Sequence, residues 1–166
     1  MVIARSRSRR RRRWRTAVAA GLLVAAAGFL AVEVARWPDV ASLAHRNPVT
    51  TAFIEADRRN GVAVHWRQIP YDEMAYELAL AVVVAEDIGF FDHHGFDTRE
   101  MATAAREALE GRRLRGASSI TQQLAKNLWL TPSRSPLRKL REAVLTWQLE
   151  RHLHKLRILE LYLNVV

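Results

Sequence analysis

The sequence predicts an all-α protein in which one N-terminal transmembrane helix precedes a helical globular domain. Apolar residues beyond residue 70 recur at helical spacing rather than in alternation. One stretch, residues 16–35, is apolar over about the twenty residues that a membrane-spanning helix needs. We therefore divide the chain into an arginine-rich arm (1–15), a transmembrane helix (16–35), a juxtamembrane linker (36–48) and a globular domain (49–166).

The arm carries most of the formal net charge of +9. Eight of the 26 basic residues are arginines of the arm, so the other 18 nearly balance the 17 acidic residues. The positive-inside rule places this arm in the cytoplasm and the domain on the other side of the cytoplasmic membrane. A topology signal that also contacts anionic lipid explains the charge, so we predict no nucleic-acid partner.

The apolar stretch has a competing interpretation as a cleaved secretory signal. Its length, and the interruption of the small-residue cleavage pattern by Glu33, favour a retained membrane anchor. The domain is exported whether the stretch is a retained anchor or a cleaved signal. The chain has no cysteine, which excludes disulfides, thiolate metal ligands and a cysteine nucleophile.

Four helices are predicted from residue 71 onward. The first, 71–86, is apolar on nearly every side and is expected to be the buried centre of the domain. The second runs from about residue 99 to 110 and ends before Gly111 and the basic segment 112–115. The third, 119–130, opens with a capping box of Ser119 and Gln122. The fourth begins after Pro136 and continues through Leu163. Only residues 61–66 are compatible with a short β-hairpin.

Two adjacent acids, Glu86 and Asp87, follow the most apolar helix. Burial at the negative end of a helix disfavours the charged form of a carboxyl group, and such a group suits proton transfer near neutral pH. The alternative is an ordinary solvated acidic pair at a helix boundary.

The third helix begins at a turn of small residues, 116–119. Free backbone amides at such an end bind anions. Arg115 precedes the turn, and Gln122 and Lys126 lie one turn apart on one face, so this end is a candidate phosphate site. The alternative is a routinely capped surface helix.

The fourth helix places Arg138 and Glu142 four residues apart, with Lys139 and Arg141 beside them. Taken alone this is a solvated face, in which the pair contributes about 0.3 kcal/mol. A carboxylate among cations also suits a diphosphate leaving group or a divalent metal.

Two adjacent histidines, His93 and His94, lie near Asp97 but lack the spacing of metal ligands. A structural hydrogen-bonding role is favoured over zinc, and no metal site is assigned. Tyr162 and the five tryptophans are expected to be core or interfacial anchors.

Four segments resemble, in order, the signatures of the family 51 glycosyltransferases, the peptidoglycan polymerases. They are residues 86–97, 116–127, 138–142 and 155–164. The N-terminal anchor and the segment from Asn47 onward are similar to the monofunctional biosynthetic transglycosylases of that family. The family continues beyond its fourth signature, so the domain is expected to be incomplete at its C terminus.

The resemblance implies a lysozyme-like helical lobe that polymerises lipid II, a hexosyltransferase reaction. Glu86 would be the general base, and Glu142 a second essential acid near the leaving diphosphate. Lys126 and Arg138 would neutralise that diphosphate. The other substrate-binding residues are Asp87, Ser118, Thr121, Gln122 and Gln123.

The implied partners are lipid II, the growing glycan chain and the membrane, with cell-wall synthesis or division proteins as further candidates. No cofactor is required, although a divalent cation such as Mg²⁺ at the diphosphate is an option. Two other functions stay open, namely a lytic, lysozyme-like glycosidase and an inactive membrane-bound scaffold.

Overall fold

The computed structural model describes residues 3–112, 116, 118–133 and 135–166, with side chains from residue 14 onward. The charged side chains of the arm up to Arg13, and Arg115 of the candidate phosphate site, lie outside the described residues. The chain divides into two compact units at residues 38 and 39.

The N-terminal unit is a single helix, α1 (Ile3–Ala35). Its segment Trp14–Ala35 is long and apolar enough to cross a membrane, and its side chains are almost all exposed. A helix with an unburied apolar surface of this length fits a membrane-anchored protein.

The second unit is all helical over the residues that the structure describes. Its helices are α2 (Ala52–Arg59), α3 (Tyr76–Glu86), α4 (Thr98–Leu109), α5 (Ile120–Trp129), α6 (Pro136–His152) and α7 (Lys155–Val165). Two short 3₁₀ turns, Ala41–Ala44 and Tyr71–Glu73, precede α2 and α3. The predicted all-α class is confirmed.

The core lies where α5 packs against α6 and α7. Its fully or almost fully buried side chains include Ile120, Leu124, Leu145, Leu149, Ile158, Leu159 and Leu161. Each such side chain stabilises the fold by about 1.5–3 kcal/mol relative to an exposed position. The C-terminal signatures therefore form the centre of the domain.

The prediction that residues 71–86 form the buried centre is wrong. The helix begins at Tyr76, and only Ala79 and Val83 of it are buried. These two residues and Asp87 are spaced four apart, so one narrow stripe faces the domain. A helix that is apolar on every side does not specify which face packs, and here most of its apolar surface is exposed.

The prediction of one continuous helix through Leu163 is also wrong. Leu153 is extended, with φ −117° and ψ 145°, and it ends α6. His154 then caps α7, because its Nδ1 accepts a hydrogen bond of 3.2 Å from the backbone amide of Arg157. The break lets α6 and α7 pack as two elements.

No hairpin forms at residues 61–66 of the described chain. The segment 62–70 has no helix or strand, and Asn164 near the end of α7 bonds its backbone at Ile69. Asn164 Oδ1 accepts from the Ile69 amide at 2.7 Å, and its Nδ2 donates to the Ile69 carbonyl at 2.9 Å. One asparagine thus replaces the strand partner that the segment would otherwise need.

Candidate active site

Glu86 is the last residue of α3, and its side chain is exposed rather than desolvated as predicted. The position is one residue before the buried stripe of α3, so its side chain projects about 100° away from that stripe. Its Oε2 accepts a hydrogen bond of 2.8 Å from Nε2 of Gln123 on α5. The acid is therefore hydrated and held by one neutral amide.

Gln123 is itself held from α7. The hydroxyl of Tyr162 donates to Oε1 of Gln123 at 3.1 Å. Tyr162 is 4% exposed, which agrees with its predicted place in the core. Burial raises the pKa of Tyr162, and the negative charge of Glu86 raises it further.

Asp87, the neighbour of Glu86, is buried and structural. One carboxylate oxygen accepts from the Ile120 amide at 3.0 Å, and the other accepts from Nε2 of His93 at 2.9 Å. Nδ1 of His93 accepts from the Gly95 amide at 3.1 Å, so the ring proton lies on Nε2. His93 thus has the hydrogen-bonding role that the sequence favoured.

The capping box at the start of α5 is confirmed. The Ser119 hydroxyl accepts from the Gln122 amide, and the Gln122 side chain accepts from the Ser119 amide. With Asp87 on Ile120, three amides of this helix end are occupied by protein groups. The predicted phosphate site is therefore corrected, since these three amides are not free to bind an anion.

The other predicted residues of α5 divide between the interior and the surface. Thr121 is fully buried, and its hydroxyl donates to Glu150 at 2.5 Å. Gln122 is buried in the capping box. Lys126 is half-buried and has no hydrogen-bond or ion-pair partner among the described residues. Of these three, Lys126 is the one that a ligand could reach directly.

A cavity of about 300 Å³ opens beside the end of α3. Glu86, Asp87 and Ser118 line it, together with the start of α4 at Asp97 and Glu100. Three of the predicted site residues therefore share one cavity, and its described wall is rich in carboxylates.

Glu142 is buried, so the interpretation of α6 as a solvated face is wrong. It is 3% exposed and lies on the same stripe as the buried Leu145, Thr146 and Leu149. Nη1 of Arg138 donates to its Oε2 at 2.7 Å, and Nζ of Lys139 donates to its Oε1. Buried Nε of Arg138 has no partner among the described residues.

The predicted site residues thus do not all line one cavity in the described chain. Glu86, Asp87 and Ser118 line the cavity, with Gln123 bonded to Glu86. Lys126, Arg138 and Glu142 are not among the residues that line it. A single groove joining the cavity to these three residues stays a prediction.

Asp87, His93 and Asp97 bring donor atoms within 4.8 Å of one another, a spacing that suits a metal ion. Hydrogen bonds already use most of these atoms, because Asp87 and His93 bond each other and Oδ1 of Asp97 accepts from the amides of Arg99 and Glu100. A metal ion would have to displace those bonds.

The Transglycosylase family model matches residues 55–166, more than half of the chain. The chain therefore belongs to the Transglycosylase family, and the resemblance to the family 51 glycosyltransferases is confirmed.

Relatives named biosynthetic peptidoglycan transglycosylase share 36–41% identity with the chain. The Aromatoleum aromaticum protein is 41% identical over 152 residues, which cover 87% of this chain and 66% of the relative. The Nitrosospira multiformis protein is 41% identical over 72% of this chain and 55% of its own length. The Burkholderia thailandensis protein is 37% identical over 98% of this chain and 65% of its own. The chain thus spans 55–66% of the length of these three relatives.

Sequence reasoning missed the link from Tyr162 through Gln123 to Glu86. These residues are 39 and 37 positions apart, and no local pattern encodes the contact. The only available signal was that all three lie within signatures of one family.

Proposed function

We propose that the protein is a peptidoglycan glycosyltransferase that polymerises lipid II into glycan strands and releases undecaprenyl diphosphate. The observation that carries this proposal is the placement of Glu86, whose exposed carboxylate lies on the cavity wall within a Transglycosylase domain. A carboxylate held by a single neutral amide keeps lone pairs for a substrate proton.

In this reaction Glu86 is the group that accepts the proton of the acceptor sugar. Its carboxylate removes the proton from the 4-hydroxyl of the acceptor sugar, and that oxygen attacks the anomeric carbon of the growing chain. The bond from the anomeric carbon to the diphosphate breaks, and the diphosphate leaves with the electron pair. General base catalysis of this kind contributes about 10²- to 10⁴-fold in rate.

The leaving diphosphate needs positive charge, which Lys126 and Arg138 would supply. Lys126 has no ionic partner among the described residues, and half-buried Arg138 keeps an Nε donor without a partner there. Charge-assisted bonds from such groups to phosphate oxygens are about twice as strong as neutral ones. Glu142 holds Arg138 and Lys139 in place, which is a structural reason for it to be essential.

The roles of the remaining predicted residues are assigned by position. Ser118 lines the cavity and Gln123 bonds Glu86, so these two would act at the substrate. Asp87 borders the same cavity and would support it indirectly, because its carboxylate is bonded to Ile120 and His93. Thr121 and Gln122 are internal and would shape the donor site indirectly, by fixing the first turn of α5.

A divalent cation does not fit Glu142 as the structure describes it. Both carboxylate oxygens already accept bonds from cationic side chains, and Mg²⁺ needs several free oxygen ligands. No step is therefore assigned to a metal. Polymerisation that survives a chelator would agree with this assignment, and loss that Mg²⁺ restores would contradict it.

The apolar helix at Trp14–Ala35 supports a single-pass protein of the inner membrane with its domain in the periplasm. Such a location brings the domain to a prenyl-linked substrate. Cell-wall synthesis or division proteins are proposed as partners from the same location.

The experiment is incubation of the purified protein with labelled lipid II and, separately, with labelled glycan strands. Polymer from lipid II supports the proposal. Cleavage of the strands would identify a lytic glycosidase instead, and the absence of both products would indicate a scaffold or an inactive enzyme.

A further inference from the structure

Three helices contribute one side chain each to a hydrogen-bonded relay that ends on Glu86. Tyr162 of α7 donates to Oε1 of Gln123 at 3.1 Å, and Nε2 of Gln123 on α5 donates to Oε2 of Glu86 at 2.8 Å. The relay joins the buried core of the domain to its exposed acid.

The relay has a direction because an amide has one accepting and one donating end. The Tyr162 hydroxyl donates, so the amide oxygen of Gln123 faces it and the NH₂ group faces Glu86. A flipped amide would turn its oxygen toward the carboxylate, and the two acceptors would repel each other. The Glu86 carboxylate, which can only accept, thus fixes the orientation of the amide, and the Tyr162 hydroxyl holds Gln123 in that orientation by donating to its oxygen.

Gln123 makes one further contact, because its Nε2 also donates to the carbonyl oxygen of Ser118 at 3.4 Å. Without Tyr162, the amide would lose the bond to its oxygen and could shift toward this second acceptor. Glu86 is exposed and has no other hydrogen-bond partner among the described residues. Release of the amide would therefore free the carboxylate to sample several rotamers.

Tyr162 is suited to this role because it is fixed and protonated. Its ring is buried in α7, among the residues of the core. Burial and the charge of Glu86 both raise the pKa of Tyr162, so the hydroxyl stays a donor at neutral pH.

We propose that Tyr162 is a positioning residue that acts through Gln123 to hold the Glu86 carboxylate in its proton-accepting geometry. The inference rests on the proposed function, in which Glu86 is the general base. Tyr162 itself does not touch the substrate.

The first test is Tyr162→Phe, which removes the hydroxyl and keeps the buried ring. Loss of one neutral hydrogen bond predicts a fall in kcat of about two- to tenfold, with the KM for lipid II and the Tm nearly unchanged. Tyr76→Phe is the matched control, because Tyr76 is 70% exposed on α3, and it should leave all three values unaltered. A Tyr162→Phe variant that changes only Tm would overturn the proposal.

The second test asks whether Tyr162 acts through Gln123. Gln123→Ala should lower kcat at least as much as Tyr162→Phe, and adding Tyr162→Phe to it should cause no further loss. Equal, additive losses in the double variant would show that Tyr162 acts independently, which would overturn the proposal.

The third test does not depend on activity. Titration of the phenol by ultraviolet absorbance, with Tyr162→Phe subtracted, gives the pKa of Tyr162. Glu86→Gln removes the facing negative charge, so this pKa should fall. An unchanged pKa would overturn the relay even if polymer forms, whereas a shift in a protein that forms no polymer would overturn only the proposed function.

Discussion

Glu86 at the end of α3 and Glu142 in the second turn of α6 are both carboxylates among polar partners, but their surroundings differ. Glu86 is exposed, lines a cavity and accepts one bond from a neutral amide. Glu142 is buried and held by Arg138 and Lys139. The stability of the domain should therefore depend on Glu142 and not on Glu86.

The difference follows from the helices that carry the two acids. α3 contributes one narrow stripe to the domain, and Glu86 lies off that stripe. α6 crosses the core, and Glu142 lies on its inner face. An acid on an inner face is retained only when cations compensate its loss of hydration, whereas an acid off the stripe remains available to a substrate.

The largest stability effect is expected at the buried cluster. Glu142→Gln leaves the half-buried Arg138 without its anion and should destabilise the domain by about 3 kcal/mol, the lower end for a buried pair, since Arg138 and Lys139 are 18% and 54% exposed. Chemical unfolding followed by tryptophan fluorescence measures this. The control is Glu77→Gln, an exposed acid on α3. A Glu142→Gln value as small as the control would contradict the comparison.

A smaller effect on stability is expected at Gly95, in the loop that follows α3. Gly95 has φ +84°, and a Cβ there would lie 2.7 Å from Cγ2 of Thr146. Gly95→Ala should therefore destabilise the domain by about 2 kcal/mol or more, from the left-handed backbone and the contact together. Gly61→Ala is a matched control, because Gly61 has φ +80° and open space around it. Equal losses at both glycines would mean that the contact with α6 contributes nothing.

The smallest effect is expected at Asp97, which caps α4 on the cavity rim. The Glu100 and Arg99 amides lower the pKa of Asp97 below 3.8. Its contribution is therefore present above that value and is lost as the pH falls through the lowered pKa. Asp97→Asn keeps the cap and removes the charge, so it should lower Tm slightly at neutral pH, by an effect of about 0.3–0.5 kcal/mol. The difference from wild type should vanish in strong acid, and a difference that persists there would contradict the charge effect.

The sequence alone predicted correctly those features that depend on residues close together in the chain. The capping box of Ser119 and Gln122 spans one turn, and its prediction is confirmed. The all-α class needed only periodicity.

The predictions of which side chains are buried failed at positions where contacts between helices determine the burial. The apolar composition of α3 gave no information on which face packs, so Glu86 was wrongly expected to be desolvated. Glu142 looked solvated because its i, i+4 pair is typical of a surface, whereas packing against α5 buries it. The contacts from Tyr162 to Gln123 to Glu86 join three helices, and spacing along one helix cannot reveal them.

The measurement that tests the account most directly is Glu86→Gln, with polymer formation from labelled lipid II and unfolding measured on the same preparation. The account predicts a loss of about 10²- to 10⁴-fold in polymerisation rate, with the free energy of unfolding unchanged within about 0.5 kcal/mol. Polymer formation at the wild-type rate by this variant would remove Glu86 from the mechanism.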